Sequence, residues 1–163
     1  SYRGRPTPRT EVMFGPPGRL YVYFTYGRHF CSNVVTGPDD HGSAVLLRAA
    51  EPLEGLEVMA SHRGTDRPRL LCSGPARLTQ AFAIARADDG TDLVRNDSLF
   101  LLSGDPLLGH AIARNTRVGV SIGIERRWRY FERRSAFVSP GRPSVPVATG
   151  AEAGTEATGS RGS

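Results

Sequence analysis

The chain has no lysine: all 21 of its Lys+Arg positions are arginine. A lysine amine is the usual Schiff-base nucleophile, so covalent imine chemistry on such a side chain is excluded. Cysteine is scarce, with only Cys31 and Cys72. The first residues are rich in Arg and Pro and contain no apolar core of a secretion signal. Together these read as free thiols in an intracellular, cytoplasmic protein. No apolar run approaches the roughly 20 residues of a membrane span, so no membrane partner is expected. The four histidines, His29, His41, His62 and His110, are scattered, and no pair of histidines or cysteines has metal-ligand spacing. No metal and no other cofactor is therefore expected. The Gly-rich Lys-Ser/Thr phosphate loop is absent, which argues against the nucleotide-hydrolase class it marks.

What is present is positive charge, +5 overall with a sequence pI near 9.9. That balance suits a polyanion, although a GC-rich genome would also favour arginine and many basic proteins bind no nucleic acid. Residues 147–163 (VATGAEAGTEATGSRGS) are small, polar and aperiodic. They read as a disordered tail behind a single domain at 1–146, and no internal repeat is visible.

Pattern and punctuation then give the elements. Arg19 to Tyr26 (RLYVYFTY) is aromatic and β-branched, His29 to Val35 (HFCSNVV) follows a Gly-Arg turn, and Ala44 to Ala50 (AVLLRAA) supplies a third strand. Helices are predicted over Pro52 to His62, with Leu53, Leu56 and Ala60 on one face, and over Pro75 to Ala85, with Leu78, Phe82 and Ala85 on one face. Short strands are predicted at Ser98 to Leu102, Arg117 to Ile122 and Trp128 to Glu132. This order predicts an α+β domain with a curved, mostly antiparallel sheet and flanking helices, not a doubly wound fold.

Three constellations carry chemistry, and each has an ordinary reading beside the functional one. Tyr21, Tyr23 and Tyr26 cluster near Arg19 and Arg28. Aromatics fill strands routinely, but a stacking platform with a probe at a hairpin tip is also what a nucleic-acid surface needs. Arg48 interrupts an apolar strand, so it requires an anion. Glu51 or Glu54 could supply it structurally; a phosphate or an active-site carboxylate is the alternative. Ser73-Gly74-Pro75-Ala76-Arg77 opens a helix, either as a plain cap or as an anion-binding end.

The segments RGRPTPRTEVMFGPPGRLYVYFTYGRHFCSNVV, AVLLRAAEPLEG, LCSGPARLTQAFAI, RVGV and RRWRYF, in that order, resemble the alkyladenine (3-methyladenine) DNA glycosylase family from Ser1 to about Val145. The resemblance implies a single mixed α/β domain that flips an alkylated or deaminated purine out of double-stranded DNA and hydrolyses its N-glycosidic bond. It also implies residue roles. Tyr26 is the minor-groove wedge, and Tyr23 stacks on the extruded base. Asn33 disfavours guanine by colliding with its exocyclic amine, Leu46 lines the pocket floor, and Arg48 lies near the attacking water and target phosphate. Arg5, Thr7 and Arg77 contact the DNA backbone, with Arg28 beside the wedge. Arg28 and His29 are more polar than in some relatives.

The family's acidic general base, a second stacking tyrosine and a base-contacting histidine are expected upstream of Ser1, so the chain reads as N-terminally truncated. The implied reaction is monofunctional hydrolysis through an oxocarbenium-like transition state, by a monomer. A non-catalytic damaged-DNA-binding fragment without the general base stays open, as does, more remotely, an RNA-binding module.

Overall fold

The computed structural model describes residues 5–139 and 141. The tail expected at 147–163 lies outside them.

The aromatic, β-branched stretch after the Gly15-Pro16-Pro17-Gly18 turn forms β1 (Leu20–Thr25), which pairs antiparallel with β2 (His29–Val35). β2 in turn pairs antiparallel with β3 (Ala44–Leu46), giving a three-stranded sheet in the order β1-β2-β3. The first hairpin turns on Tyr26 and Gly27, whose φ values are 51° and 63°, with the Arg28 N–H donating to Thr25 O at 3.1 Å. Two consecutive left-handed residues match the twist of the flanking strands. Gly27 adopts that conformation freely, whereas a tyrosine there is strained.

Both faces of this sheet are used. Leu20 and Val22 face one side and pack with Ile84 and Leu93. Tyr21 and Val35 face the other and pack on Met13, from a 3-10 turn at Glu11–Phe14. The free edge of β1 is covered by residues 86–92. Leu20 N–H donates to Thr91 O (2.8 Å), Val22 N–H to Asp89 Oδ1 (2.8 Å), and Arg86 donates to Val22 O (3.2 Å). Pairing these groups removes an edge that could recruit another strand.

Three helices lie beyond the sheet: α1 (Leu56–Arg63), α2 (Pro68–Leu71) and α3 (Pro75–Ala81). Leu71, Cys72 and Ala81 form their small core, with Met59 and Ala60 packed against it. Polar contacts clasp α1 to α3: Gln80 Nε2 donates to His62 O (2.8 Å), and Arg63 donates to Gln80. Thr79 Oγ1 donates to Phe30 O (2.9 Å), tying α3 to β2. After a long irregular stretch, β4 (Ile112–Asn115) and β5 (Arg129–Glu132) pair antiparallel as a separate two-stranded sheet. The result is a single α+β domain with antiparallel sheets.

Several element boundaries differ from the sequence reading. The first helix starts at Leu56 rather than Pro52, because Gly55 is left-handed (φ 67°). Leu53 is 79% exposed, so the face shared by Leu53, Leu56 and Ala60 does not form the contact. α3 stops at Ala81; Phe82 caps it and Ala83 is left-handed (φ 53°), so Leu78, Thr79 and Ala81 are its buried residues instead of a Leu78–Phe82–Ala85 stripe. Ser98 to Leu102 is not a strand: the Asn96 side chain accepts from the N–H groups of Ser98 (2.8 Å) and Leu99 (2.9 Å), a local turn that competes with pairing. Arg117 to Ile122 is a loop folded back on itself, its Arg117 guanidinium bonded to Ile122 O and Gly123 O.

Candidate active site

Strand register decides what shares a face, because directly opposed residues point to the same side. Tyr23 opposes Cys31, Tyr21 opposes Asn33, and Asn33 opposes Leu46. These side chains therefore form one contiguous patch on the Met13 side of the sheet. Leu47 N–H still donates to Ser32 O (3.0 Å), so the pairing runs past the end of β3 and Arg48 follows Leu46 on the same face. The site is thus the inner face of three neighbouring strands, with Tyr26 at the tip of the hairpin that carries two of them.

The environment is dry and cationic. Asn33 is buried, and its Nδ2 donates to Tyr21 O at 3.1 Å, which fixes the amide against β1. Burial, followed by Cys31, pushes the Tyr23 phenol up to about 12. Cys31 is its cross-strand neighbour, and the Tyr23 ring lies 5.6 Å from that of Tyr21. Arg9 approaches the Tyr23 ring at 5.8 Å and donates to Phe24 O at 2.7 Å. The Cys31 thiol is raised, again mainly by burial and partly offset by Tyr23 and Arg48. Arg48 is lowered, first by burial and then by the neighbouring Arg129.

Arg48 and Arg129 converge on one serine. Arg48 Nε donates to Ser139 Oγ (3.4 Å) and Arg129 donates to Ser139 O (2.6 Å). The expected structural pair of Arg48 with Glu51 or Glu54 does not form. Both glutamates are exposed, and the ion pairs among the described residues are Arg19–Asp92, Arg86–Asp89 and Arg126–Glu125. Two half-buried guanidinium groups with no carboxylate between them attract an anion strongly, because their mutual repulsion is relieved only when one binds.

The other predicted residues lie farther out. Tyr26 is 85% exposed. Arg28 and Arg5 are exposed, and Thr7 is bound to Thr10 through its N–H and hydroxyl, each at 2.9 Å. Arg77 is half-buried and donates to Ser73 Oγ (3.0 Å), so Ser73 anchors the arginine rather than capping α3. Sequence reasoning missed Cys31, Arg9, Arg129 and Ser139. Cys31 was within reach, since a turn at Tyr26-Gly27 sets it opposite Tyr23. The other three come from distant segments and carry no local signal. Among the described residues, no three His, Cys, Asp or Glu side chains gather as a metal site, and no helix is long and apolar enough to cross a membrane.

The family pattern for methylpurine-DNA glycosylase (MPG) matches residues 1–136. A Burkholderia cenocepacia protein assigned the name 3-methyladenine DNA glycosylase is 48% identical over 147 residues, covering 89% of this chain and 70% of the relative. Proteins assigned the same name from Carboxydothermus hydrogenoformans (45% identical; 85% of this chain, 72% of the relative) and Agrobacterium fabrum (50% identical; 82% and 66%) are also similar. With an ordered sheet patch, a hairpin-tip tyrosine and two neighbouring guanidinium groups now joined to a match over most of its length, the chain belongs to the methylpurine-DNA glycosylase family.

Proposed function

We propose that this chain acts as a monomer on intracellular double-stranded DNA, extruding an alkylated or deaminated purine onto the inner face of β1–β3. The observation that carries this reading is the placement of Tyr23, Asn33, Leu46 and Arg48 on one face, below the exposed Tyr26 tip. In this reading Tyr26 enters the stack and fills the space left by the base. Flipping costs a few kcal/mol, least at a damaged pair, and an aromatic platform returns about 1–3 kcal/mol per base. Tyr23 is that platform, its phenol kept neutral by burial. Asn33, held rigid by Tyr21 O, opposes the extra amine of guanine. Arg48 takes the phosphate of the extruded nucleotide, and Arg5, Thr7, Arg28 and Arg77 hold register on the flanking backbone.

The bond broken is the N-glycosidic bond, with water adding to the sugar carbon and the purine leaving. Without a lysine, no imine intermediate forms on such a side chain, and the enzyme is monofunctional. No carboxylate among the described residues pairs with Arg48 or perturbs its charge. A positioned base contributes about 10²–10⁴ in rate. Cationic methylated purines leave readily without it; hypoxanthine does not. A base-release assay on this polypeptide, using duplexes carrying either lesion, tests the proposal. Trace release of 3-methyladenine or 7-methylguanine with almost none of hypoxanthine is expected. Robust hypoxanthine release would overturn the carboxylate-poor reading, and loss of all preference for damaged over undamaged duplex would overturn the pocket itself.

A further inference from the structure

The two faces of β5 differ sharply. Arg129 and Phe131 turn inward, with Arg129 beside Arg48, whereas Trp128 and Tyr130 turn outward and are 53% and 58% exposed. Across the pairing, Arg114 opposes Tyr130, so its side chain joins the outward face. There its guanidinium carbon lies over the Tyr130 ring, 5.0 Å from the centroid, and those of Arg126 and Arg117 lie 4.4 Å and 5.5 Å from the centroid of the Trp128 ring. Residues 114–134 contain seven arginines against two glutamates, a third of all the arginine in the chain. The Arg114 guanidinium has no ion-pair or hydrogen-bond partner among the described residues, and Arg126 has only the exposed Glu125 at 3.5 Å.

A guanidinium held over an aromatic ring keeps N–H groups available and loses little further freedom when it binds. Two such groups, Arg114 on β4 and Arg126 in the segment leading into β5, present neighbouring ordered donors. Their charge and fork geometry match phosphodiester oxygens. We propose that the outward face of β4–β5 grips the sugar–phosphate backbone of undamaged duplex DNA, through Arg114 and Arg126 held on Tyr130 and Trp128. Duplex DNA is the polyanion because the family acts on DNA. The face is separate from the lesion pocket, since it lies on the opposite side of β5 from Arg129. It gives the protein a grip that needs no damaged base.

Trp128 is the single tryptophan of the chain, so its fluorescence reports this face alone. Acrylamide quenching of Trp128 is measured on the full chain with and without undamaged duplex at low salt. The expected result is that saturating duplex at least halves the quenching and that added salt restores it. In Arg114→Gln/Arg126→Gln, the slope of log affinity against log salt for undamaged duplex should fall by about 2, near the loss of two phosphate contacts. Arg114→Lys/Arg126→Lys keeps the charge and should retain most of that slope. Unchanged quenching at saturating duplex, or an unchanged slope in the folded Gln variant, overturns the proposal. So does a Trp128 already shielded before DNA is added. Tighter shielding by single-stranded than by duplex DNA would also overturn it. If the Gln variant fails to fold, the wild-type quenching still decides. Equal affinity for damaged and undamaged duplex with Trp128 shielding intact would count against the lesion pocket and leave this surface standing.

Discussion

The three-stranded sheet and the two-stranded sheet are built from similar residue types and put them to opposite use. In β1–β3, Leu20 and Val22 are buried on one face and Tyr21 and Val35 on the other, while Phe24 and Val45 stay exposed, and the β1 edge is sealed by residues 86–92. In β4–β5, the aromatics on one face stay in solvent under arginine. The first sheet derives its rigidity from burial, which is what a pocket that discriminates among purines requires. The second has little to bury, and its charge suits contact without discrimination. Aromatic content alone therefore does not separate core from surface here; the partner facing each ring does.

The comparison breaks most visibly under truncation. Leu20→Ala, deleting a side chain 1% exposed, should cost about 2–5 kcal/mol, whereas Tyr130→Ala should cost about 0.5 kcal/mol or less. Urea denaturation of both variants measures this, and similar losses would mean that the second sheet is packed after all.

A smaller effect, in the first sheet, is read by pH. The folded chain holds the Tyr23 proton until about 12, while an unfolded tyrosine releases it near 10.0. Between those values the folded state binds more protons, so stability is fully present below pH 10.0 and lost as pH rises through about 12. Tyr23→Phe should flatten that part of the profile in urea denaturation followed across pH. The smallest expected change is at Ser32, whose hydroxyl is buried in the first sheet with no hydrogen-bond partner among the described residues. Ser32→Ala should be neutral or stabilising by up to about 1 kcal/mol in thermal melts, because it removes a desolvated group that gains nothing.

The same contrast explains what could be read in the sequence. β1 and β2 were legible because alternation, a Tyr-Gly turn and flanking glycines agree, and the β2 bounds coincide with the expected His29 to Val35. From that hairpin the register of Tyr23 and Asn33 follows without further information. Past residue 95, local preference and tertiary outcome diverge. Apolar Ser98 to Leu102 lost its donors to Asn96, and β4 at Ile112–Asn115 has a composition too mixed to signal a strand. Arg48 was recognisable as an arginine in need of an anion. Its convergence with Arg129 on Ser139 depends on contacts 91 and 10 residues apart in the chain, which no local pattern encodes.

The most direct test of the account asks whether the Tyr26 tip opens the duplex for the face beneath it. A fluorescent adenine analogue placed beside the lesion brightens when its stacking is lost, and its signal is followed as the chain is added to damaged duplex. The account predicts a rise with the wild-type chain. It predicts little or no rise with Tyr26→Ala, and a loss of affinity for damaged duplex that exceeds any loss for single strands. An undiminished rise with Tyr26→Ala, or equal loss of affinity on both substrates, would contradict it.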